Sequence, residues 1–329
     1  MYKIKLIFPY PNYPIARQVP NWLPNWGNFF PVKWGDFQFF INDNTTDYDF
    51  LIVFNFLINE EICNCPIENR IFLTAEPSVI QKYSTEFLSQ FGHVITCQRD
   101  LNHKNKVYFH QGHNWFVGKN YDELINNLLI EKTKPLSIVV SNKQFTDGHK
   151  KRFDFVMSLK DHFKSDLDLF GRGINDFEDK WDVLAPYKYS IAIENYVCDD
   201  WITEKIYDCY LAHTFPIYYG CPNIEKYFDS NSYELIDIEN TNKSIKIIEN
   251  ILSQNNFYEE HLEEIIKAKL HYLNNLNIFP LVCNYIIEKK LSKTHLKTPI
   301  RIHPEVVYNK NSKTTFFKIK NKIKNAIKF

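Results

Sequence analysis

Short apolar strands alternate with amphipathic helical stretches along this chain, and the alternation runs through twice. No other feature limits the fold so tightly, because strands joined by helices build parallel sheets covered on both faces. In the first half, strand candidates lie at 2–8, 48–56, 70–74 and 93–97, and Val79, Tyr83, Phe87 and Phe91 form a helical stripe over 79–91. An amphipathic stretch over 121–131 leads into Lys132-Thr133-Lys134-Pro135, where periodicity stops, so this is the expected linker. Strands are then expected at 136–140, 167–170, 187–193 and 215–219, and helices over 148–160, 203–213, 257–274 and 278–290. The reading is an α/β protein of two Rossmann-like domains facing across a cleft, over 1–134 and 135–290, with a C-terminal extension over 291–329.

Length and charge bound the function. The 329 residues suffice for two cores. Lys plus Arg (39) equals Asp plus Glu (39), so no global field favours nucleic acid. At the N-terminus Tyr2, Ile4, Leu6 and Phe8 alternate with Lys3 and Lys5, the pattern of a first strand and not of a signal peptide. No apolar run nears the ~20 residues that span a bilayer. Seven cysteines, an odd number, read as thiols kept reduced in a cytoplasmic protein. Cys63 and Cys65 lack the second pair that a zinc knuckle needs.

Chemistry concentrates in Tyr187–Gly220. A strand delivers Glu194 and Asn195 at its carboxyl end, where open parallel sheets place ligands. A loop with Asp199 and Asp200 follows, and Asp200 or Thr203 can cap the next helix. Glu204 and Lys205 occupy its first turn, beside backbone N–H groups and the positive dipole end, which suits a pyrophosphate. Lys205 would add charge and Glu204 could accept from ribose hydroxyls. The plain alternative is a capped surface helix with a solvated Glu-Lys pair, since the chain's 9 glycines form no phosphate loop.

The strings YKYSIAIEN (187–195), WITEK (201–205) and FPIYYG (215–220) resemble, in order and spacing, the signature of the α-1,3/4-fucosyltransferases, glycosyltransferase family ten, in particular its bacterial branch. The resemblance implies a type-B glycosyltransferase fold and an inverting, metal-independent transfer of L-fucose from GDP-fucose. The acceptor would be a hydroxyl of a GlcNAc- or Glc-containing glycan, in lipopolysaccharide or surface-glycan synthesis or in protein glycosylation. It also implies that 1–134 binds the acceptor and 135–290 the donor, with Asn195, Trp201, Thr203, Glu204 and Lys205 lining the donor pocket beside Glu194. Trp201 departs from the family's Tyr and cannot offer a hydroxyl, so a different nucleotide sugar stays open as the donor. Ser141–Phe153 is similar to the loop in which members present an Arg to the diphosphate, which selects Arg152 over Lys150 and Lys151, with a solvated helix start as the alternative. Asp166 and Asp168 form a D-x-D that is read as a strand edge, so no metal ligand and no cofactor are expected.

An inverting transfer needs a carboxylate to take the acceptor proton. Glu76 follows a buried strand, and Pro77 biases it toward extended backbone that projects off the sheet edge. It also resembles the family's general base, which makes it the catalytic candidate. His103, His110 and His113 read as packing or surface residues, and the aromatic segment 20–40, with Trp22, Trp26 and Trp34, as core or a sugar platform. The tail 313–329 carries six lysines and an apolar stripe of Phe316, Ile319, Ile323 and Ile327, the pattern of peripheral contact with an anionic inner leaflet. A non-catalytic glycan-binding protein is the remaining alternative.

Overall fold

The computed structural model describes residues 1–10, 13–24, 30–126, 130–140 and 147–308, with backbone alone at 147–149. Trp26, most of the loop before Arg152 and the basic tail 313–329 lie outside the described residues. The strands are β1 (Tyr2–Ile7), β2 (Val32–Trp34), β3 (Phe37–Ile41), β4 (Phe50–Phe54), β5 (Glu61–Cys63), β6 (Arg70–Leu73), β7 (His93–Thr96), β8 (Lys106–Tyr108), β9 (Lys134–Val139), β10 (Leu167–Phe170), β11 (Tyr187–Ile193), β12 (Phe215–Tyr219), β13 (Glu234–Leu235) and β14 (Ile300–Ile302). The helices are α1 (Thr85–Leu88), α2 (Tyr121–Asn126), α3 (Asp147–Phe163), α4 (Glu204–Leu211), α5 (Thr241–Ser253), α6 (Phe257–His271), α7 (Ile278–Glu288) and α8 (Glu305–Tyr308).

The chain divides into two compact units, 1–111 with 278–329, and 112–277. The first unit carries a sheet in the order β2-β3-β1-β4-β6-β7-β8, parallel except for the β2–β3 hairpin. Strand periodicity builds a core on each face. Phe50, Ile52 and Phe54 of β4 face the layer that holds α7, while Leu51 and Val53 face Phe87, Leu88 and Phe91. The second unit is a parallel sheet ordered β10-β9-β11-β12-β13. Its strand order reverses between β9 and β11, so the carboxyl ends of those two strands form the crevice where doubly wound sheets take ligands.

Several sequence expectations change. The boundary falls at Gln111/Gly112 and not at 134/135, and the 278–290 helix belongs to the first unit. The physical reason is where α7 hides its apolar face, since Ile278, Phe279, Val282 and Ile286 are buried in the core that includes Phe37 and Phe39. The extension continues on the same unit, where β14 pairs with β5. The supposed linker 132–135 is anchored structure. The Lys132 ammonium donates to the carbonyls of Ala185 and Ala212 at 2.7 and 2.8 Å, and β9 already begins at Lys134. The stripe over 79–91 yields only the single turn α1, capped by Ser84, whose Oγ accepts from the Phe87 N–H at 3.2 Å. Its aromatics still pack, with Tyr83, Phe87 and Phe91 all contacting Phe72, so the periodicity reported burial and not helix. The β2–β3 hairpin and α5 were not read from the sequence. Gly35 at φ 53° makes that turn, and the Asn240 side chain caps α5 through the Lys243 N–H at 3.1 Å.

Candidate functional site

In the second unit the residues singled out by the sequence converge at the carboxyl end of β11 and the start of α4. The Glu194 side chain, just past β11, is fully buried. Its Oε1 accepts the Thr203 N–H at 2.8 Å, the Thr203 hydroxyl lies 2.9 and 2.8 Å from its two oxygens, and the Lys205 ammonium sits 3.2 Å from Oε2. Glu194 therefore faces inward and braces Lys205, where the sequence expected it to line the donor pocket. Lys205 also contacts Thr203 Oγ1 at 2.9 Å and Glu204 at 3.2 Å, so one ammonium lies between two carboxylates. Thr203 holds the cap position without a capping side-chain bond, because its hydroxyl is spent on Glu194. Asp200 does not cap α4 either. Its carboxylate binds Lys226 at 2.9 Å, the Asn223 amide at 3.2 Å and the Tyr227 hydroxyl.

Arg152, on α3, is buried and donates through Nη1 to the Asn195 side-chain carbonyl. Its neighbours separate from it, Lys151 pairing with Glu239 at 2.7 Å and Lys150 exposed. The Arg152 Nε–H and the Trp201 indole N–H are both buried, and among the described residues neither has a hydrogen-bond partner. A buried donor without an acceptor costs about 1–3 kcal/mol, so such a pair suits an oxygen-rich, anionic ligand that supplies the acceptors. Asp168 of the D-x-D accepts from Lys134 at 3.0 Å and the Tyr187 hydroxyl at 2.7 Å on the outer strand β10. Among the described residues no group of three or more His, Cys, Asp or Glu is arranged to hold a metal ion.

Electrostatics make the cluster a set of opposed charges out of water. Burial would raise the Glu204 carboxyl, but Lys205, Lys180 and His113 hold it down at about 2. Burial pushes Glu194 upward, opposed by Lys205 and Thr203, and the two glutamates in turn hold Lys205 above its ordinary value against burial. Burial takes His113 down to about 4, so its imidazole is neutral at pH 7.

Three contributors were missed by sequence reasoning. His113, a packing or surface histidine on the sequence reading, stands edge-on to Trp201 with ring centroids 4.9 Å apart. Its segment is fastened to unit two through the Tyr272 hydroxyl, 2.8 Å from the His113 carbonyl, and the Phe116 N–H, 2.9 Å from Asp208. Asp208 is fully buried and paired with Lys180 at 2.7 Å, a charged brace beneath α4. The only available signal was Asp208 lying on the otherwise apolar face of α4, without any indication of its partner. Gly220 is the third. A Cβ there would sit 2.3 Å from the Tyr218 hydroxyl and 2.5 Å from Glu194 Cγ. Gly220→Ala is expected to cost about 1–3 kcal/mol by displacing Glu194, seen as a lower melting temperature of the chain. Unchanged melting would show that the Glu194 brace tolerates the shift.

In the first unit Glu76 lies two residues past the end of β6's neighbour in the ladder, Thr74, at the carboxyl edge of the sheet. The Gln98 amide donates to the Glu76 carbonyl at 2.7 Å and to the Gln81 carbonyl at 2.8 Å, which pins the turn. Trp22 and Trp34, of the proposed sugar platform, pack partly buried against the first core.

Two parallel-sheet units with a ligand crevice at the carboxyl end of β11 define a type-B glycosyltransferase fold. The fold matches the solved structure described as "Crystal Structure of alpha1,3-Fucosyltransferase", with a TM-score of 0.52 over 88% of this chain and 91% of that one, at 17% identity. The profile "Glycosyltransferase family 10 (fucosyltransferase) C-term" matches residues 129–298, and the chain belongs to that family. Among curated relatives, it is 31% identical over 105 residues to alpha-(1,3)-fucosyltransferase FucT of Helicobacter pylori, covering 30% of this chain and 22% of that protein. It is 30% identical over 119 residues to GDP-fucose protein O-fucosyltransferase 3 of Mus musculus, covering 36% of this chain and 23% of that protein. These matches span under a quarter of either relative's length.

Proposed function

We propose that this chain is an inverting glycosyltransferase that moves L-fucose from GDP-fucose to a hydroxyl of a GlcNAc- or Glc-containing glycan. The observation that carries this reading is the buried charged cluster at the start of α4, where Arg152 and Lys205 stand with two N–H donors that have no acceptor among the described residues. A diphosphate supplies the missing acceptor oxygens. As the bond from the sugar's anomeric carbon to the β-phosphate oxygen breaks, negative charge builds on GDP. Arg152, Lys205 and the first-turn N–H groups of α4 neutralise it, which makes a divalent ion unnecessary. Asn195, Thr203 and Trp201 complete the donor pocket, and Glu204 takes ribose hydroxyls. Glu76 accepts the proton of the acceptor hydroxyl as that oxygen bonds to the anomeric carbon from the opposite face, giving inversion. The first unit then binds the acceptor and the second the donor.

The names of the relatives, an alpha-(1,3)-fucosyltransferase and a GDP-fucose protein O-fucosyltransferase, support the donor more firmly than the acceptor. We place the enzyme in cytoplasmic surface-glycan synthesis, with the lysine-rich tail 313–329 touching an anionic membrane face where lipid-linked acceptors lie. No helix among the described residues is long and apolar enough to cross a membrane. The test is a panel of GDP-, UDP- and dTDP-sugars with glycan and peptide acceptors, in chelator, read by mass spectrometry. Transfer of a deoxyhexose from GDP-fucose alone is expected. Turnover with a UDP-sugar, or turnover that returns only with added divalent ion, would overturn the donor or the metal-independent reading.

A further inference from the structure

The loop between β11 and α4 contains a backbone position that its surroundings must hold. Asp200 stands at φ 61°, a left-handed conformation that is unfavourable for a residue with a side chain. It is only 1% exposed, and its carboxylate is clamped. Oδ1 lies 2.9 Å from the Lys226 ammonium and 3.2 Å from the Asn223 amide nitrogen, and the Tyr227 hydroxyl donates to the same oxygen. Asn223 also returns a bond, its side-chain oxygen accepting the Asp200 N–H at 2.8 Å. These partners lie in or beside the single turn Ile224–Lys226, which follows β12. The loop that leaves β11 is thereby tied to the loop that leaves the neighbouring strand.

The next residue is Trp201, 4% exposed, whose indole N–H is buried and has no hydrogen-bond partner among the described residues. Its main chain is held on both sides. The Trp201 backbone N–H reaches the Cys198 carbonyl at 3.3 Å, which closes the turn that contains Asp200. Two residues further on, the Thr203 N–H is fastened to Glu194 at 2.8 Å. With the chain tied at Thr203, a return of Asp200 to an ordinary negative φ would re-aim the Cα–Cβ bond of Trp201. An indole offers one donor in one fixed direction, whereas a hydroxyl rotates to meet its partner. The use of this N–H therefore depends on where the backbone sets the ring.

We propose that Asp200 is a positioning residue for the donor site: its bonds to Asn223, Lys226 and Tyr227 hold it left-handed, and that conformation aims the Trp201 indole N–H at an oxygen of the bound nucleotide diphosphate. This rests on the reading of Trp201 as part of the donor pocket. Asp200 acts through the backbone and through Trp201, and its own carboxylate serves the clamp. Strained positions gather at ligand clamps because the surrounding structure can hold a geometry that the free chain avoids.

The test is a double-mutant cycle on the full chain, read as GDP affinity by calorimetry. Trp201→Phe keeps an aromatic ring and loses the N–H. Asp200→Gly removes the clamped carboxylate while leaving the backbone free to take either sign of φ. Each single variant is expected to weaken GDP by about tenfold, the scale of one hydrogen bond to a charged group. The double variant should bind within about twofold of Trp201→Phe, because a misaimed ring without an N–H has nothing more to lose. Asp200→Asn tolerates the left-handed region and keeps an Oδ1 acceptor, so it should stay within about threefold of the parent protein. Parent-like affinity in Asp200→Gly, or losses that multiply to about a hundredfold in the double variant, overturn the proposal. If Asp200→Gly does not fold, Tyr227→Phe, which removes one bond of the clamp, replaces it in the cycle with an expected loss of about threefold. No loss in Tyr227→Phe, or the same loss with and without the Trp201 N–H, overturns the proposal equally. Unchanged GDP affinity in Trp201→Phe would remove Trp201 from the donor pocket, and the role of Asp200 with it. A weakened Trp201→Phe beside a parent-like or additive Asp200→Gly removes only the role of Asp200.

Discussion

Glu76→Gln is expected to leave GDP affinity unchanged and to lower kcat by about 10²–10⁴-fold, the range that a positioned general base supplies. The substitution is nearly isosteric, and the contact that pins this turn uses the Glu76 backbone carbonyl, which the variant keeps. Folding and donor binding should therefore survive, since the proposed donor cluster belongs to the other unit. What is lost is the anionic oxygen that takes the acceptor proton. Calorimetry with GDP beside a fucosyl-transfer assay separates the two effects, and near-normal turnover with normal GDP binding would end the case for Glu76.

Lys205→Ala is expected to act on stability and on donor binding together. The ammonium lies 3.2 Å from both Glu194 and Glu204, and the Glu194 side chain has no exposed surface. Removing one partner of a buried charge set typically costs about 3–5 kcal/mol because the remaining charge has no compensation. The pH dependence gives the effect a signature. In the native protein Glu204 is held at about 2, below its ordinary 4.5, so its contribution is present above pH 4.5 and fades as pH falls toward 2. Without Lys205, Glu194, which burial already holds above its ordinary value, is pushed further up, and Glu204 loses the largest of the charges that hold it down. The folded variant then binds more protons than the unfolded chain, and it gains stability as pH falls from 7 toward 4.5. The melting deficit against the parent protein should be largest at neutral pH and shrink at pH 5. A deficit independent of pH would mean that Lys205 is not paired as described. GDP binding should weaken at least tenfold at every pH.

Much of the cluster at the start of α4 is legible in the sequence because its signals are local. The strand 187–193 and the strand 215–219 appear at the expected bounds, and the α4 start brings Thr203, Glu204 and Lys205 together within three consecutive positions. Only the resemblance separates Arg152 from its two adjacent lysines in the sequence, and burial is what distinguishes it from the exposed Lys150 in the structure. The contact of Glu194 with Thr203 and Lys205 is not legible in the sequence, because a carboxylate at a strand end looks the same there whether it meets ligand or lysine. His113 was missed for the same reason, since Trp201 lies 88 positions further along the chain and no local pattern links them.

The order of strands and helices, the two α/β halves and the residues at the head of α4 were determined by the sequence itself, through periodicity and short-range spacing that the backbone geometry of strands and helices imposes. Only the tertiary structure decided that 278–302 returns to the first unit, that Glu194 turns inward to hold Lys205, and that Tyr10 and Tyr83 both bind the Asn55 amide. An amphipathic helix declares that it has an apolar face and not which core will bury it. A polar side chain declares its donors and acceptors and not its partners, because those come from segments far apart in the chain.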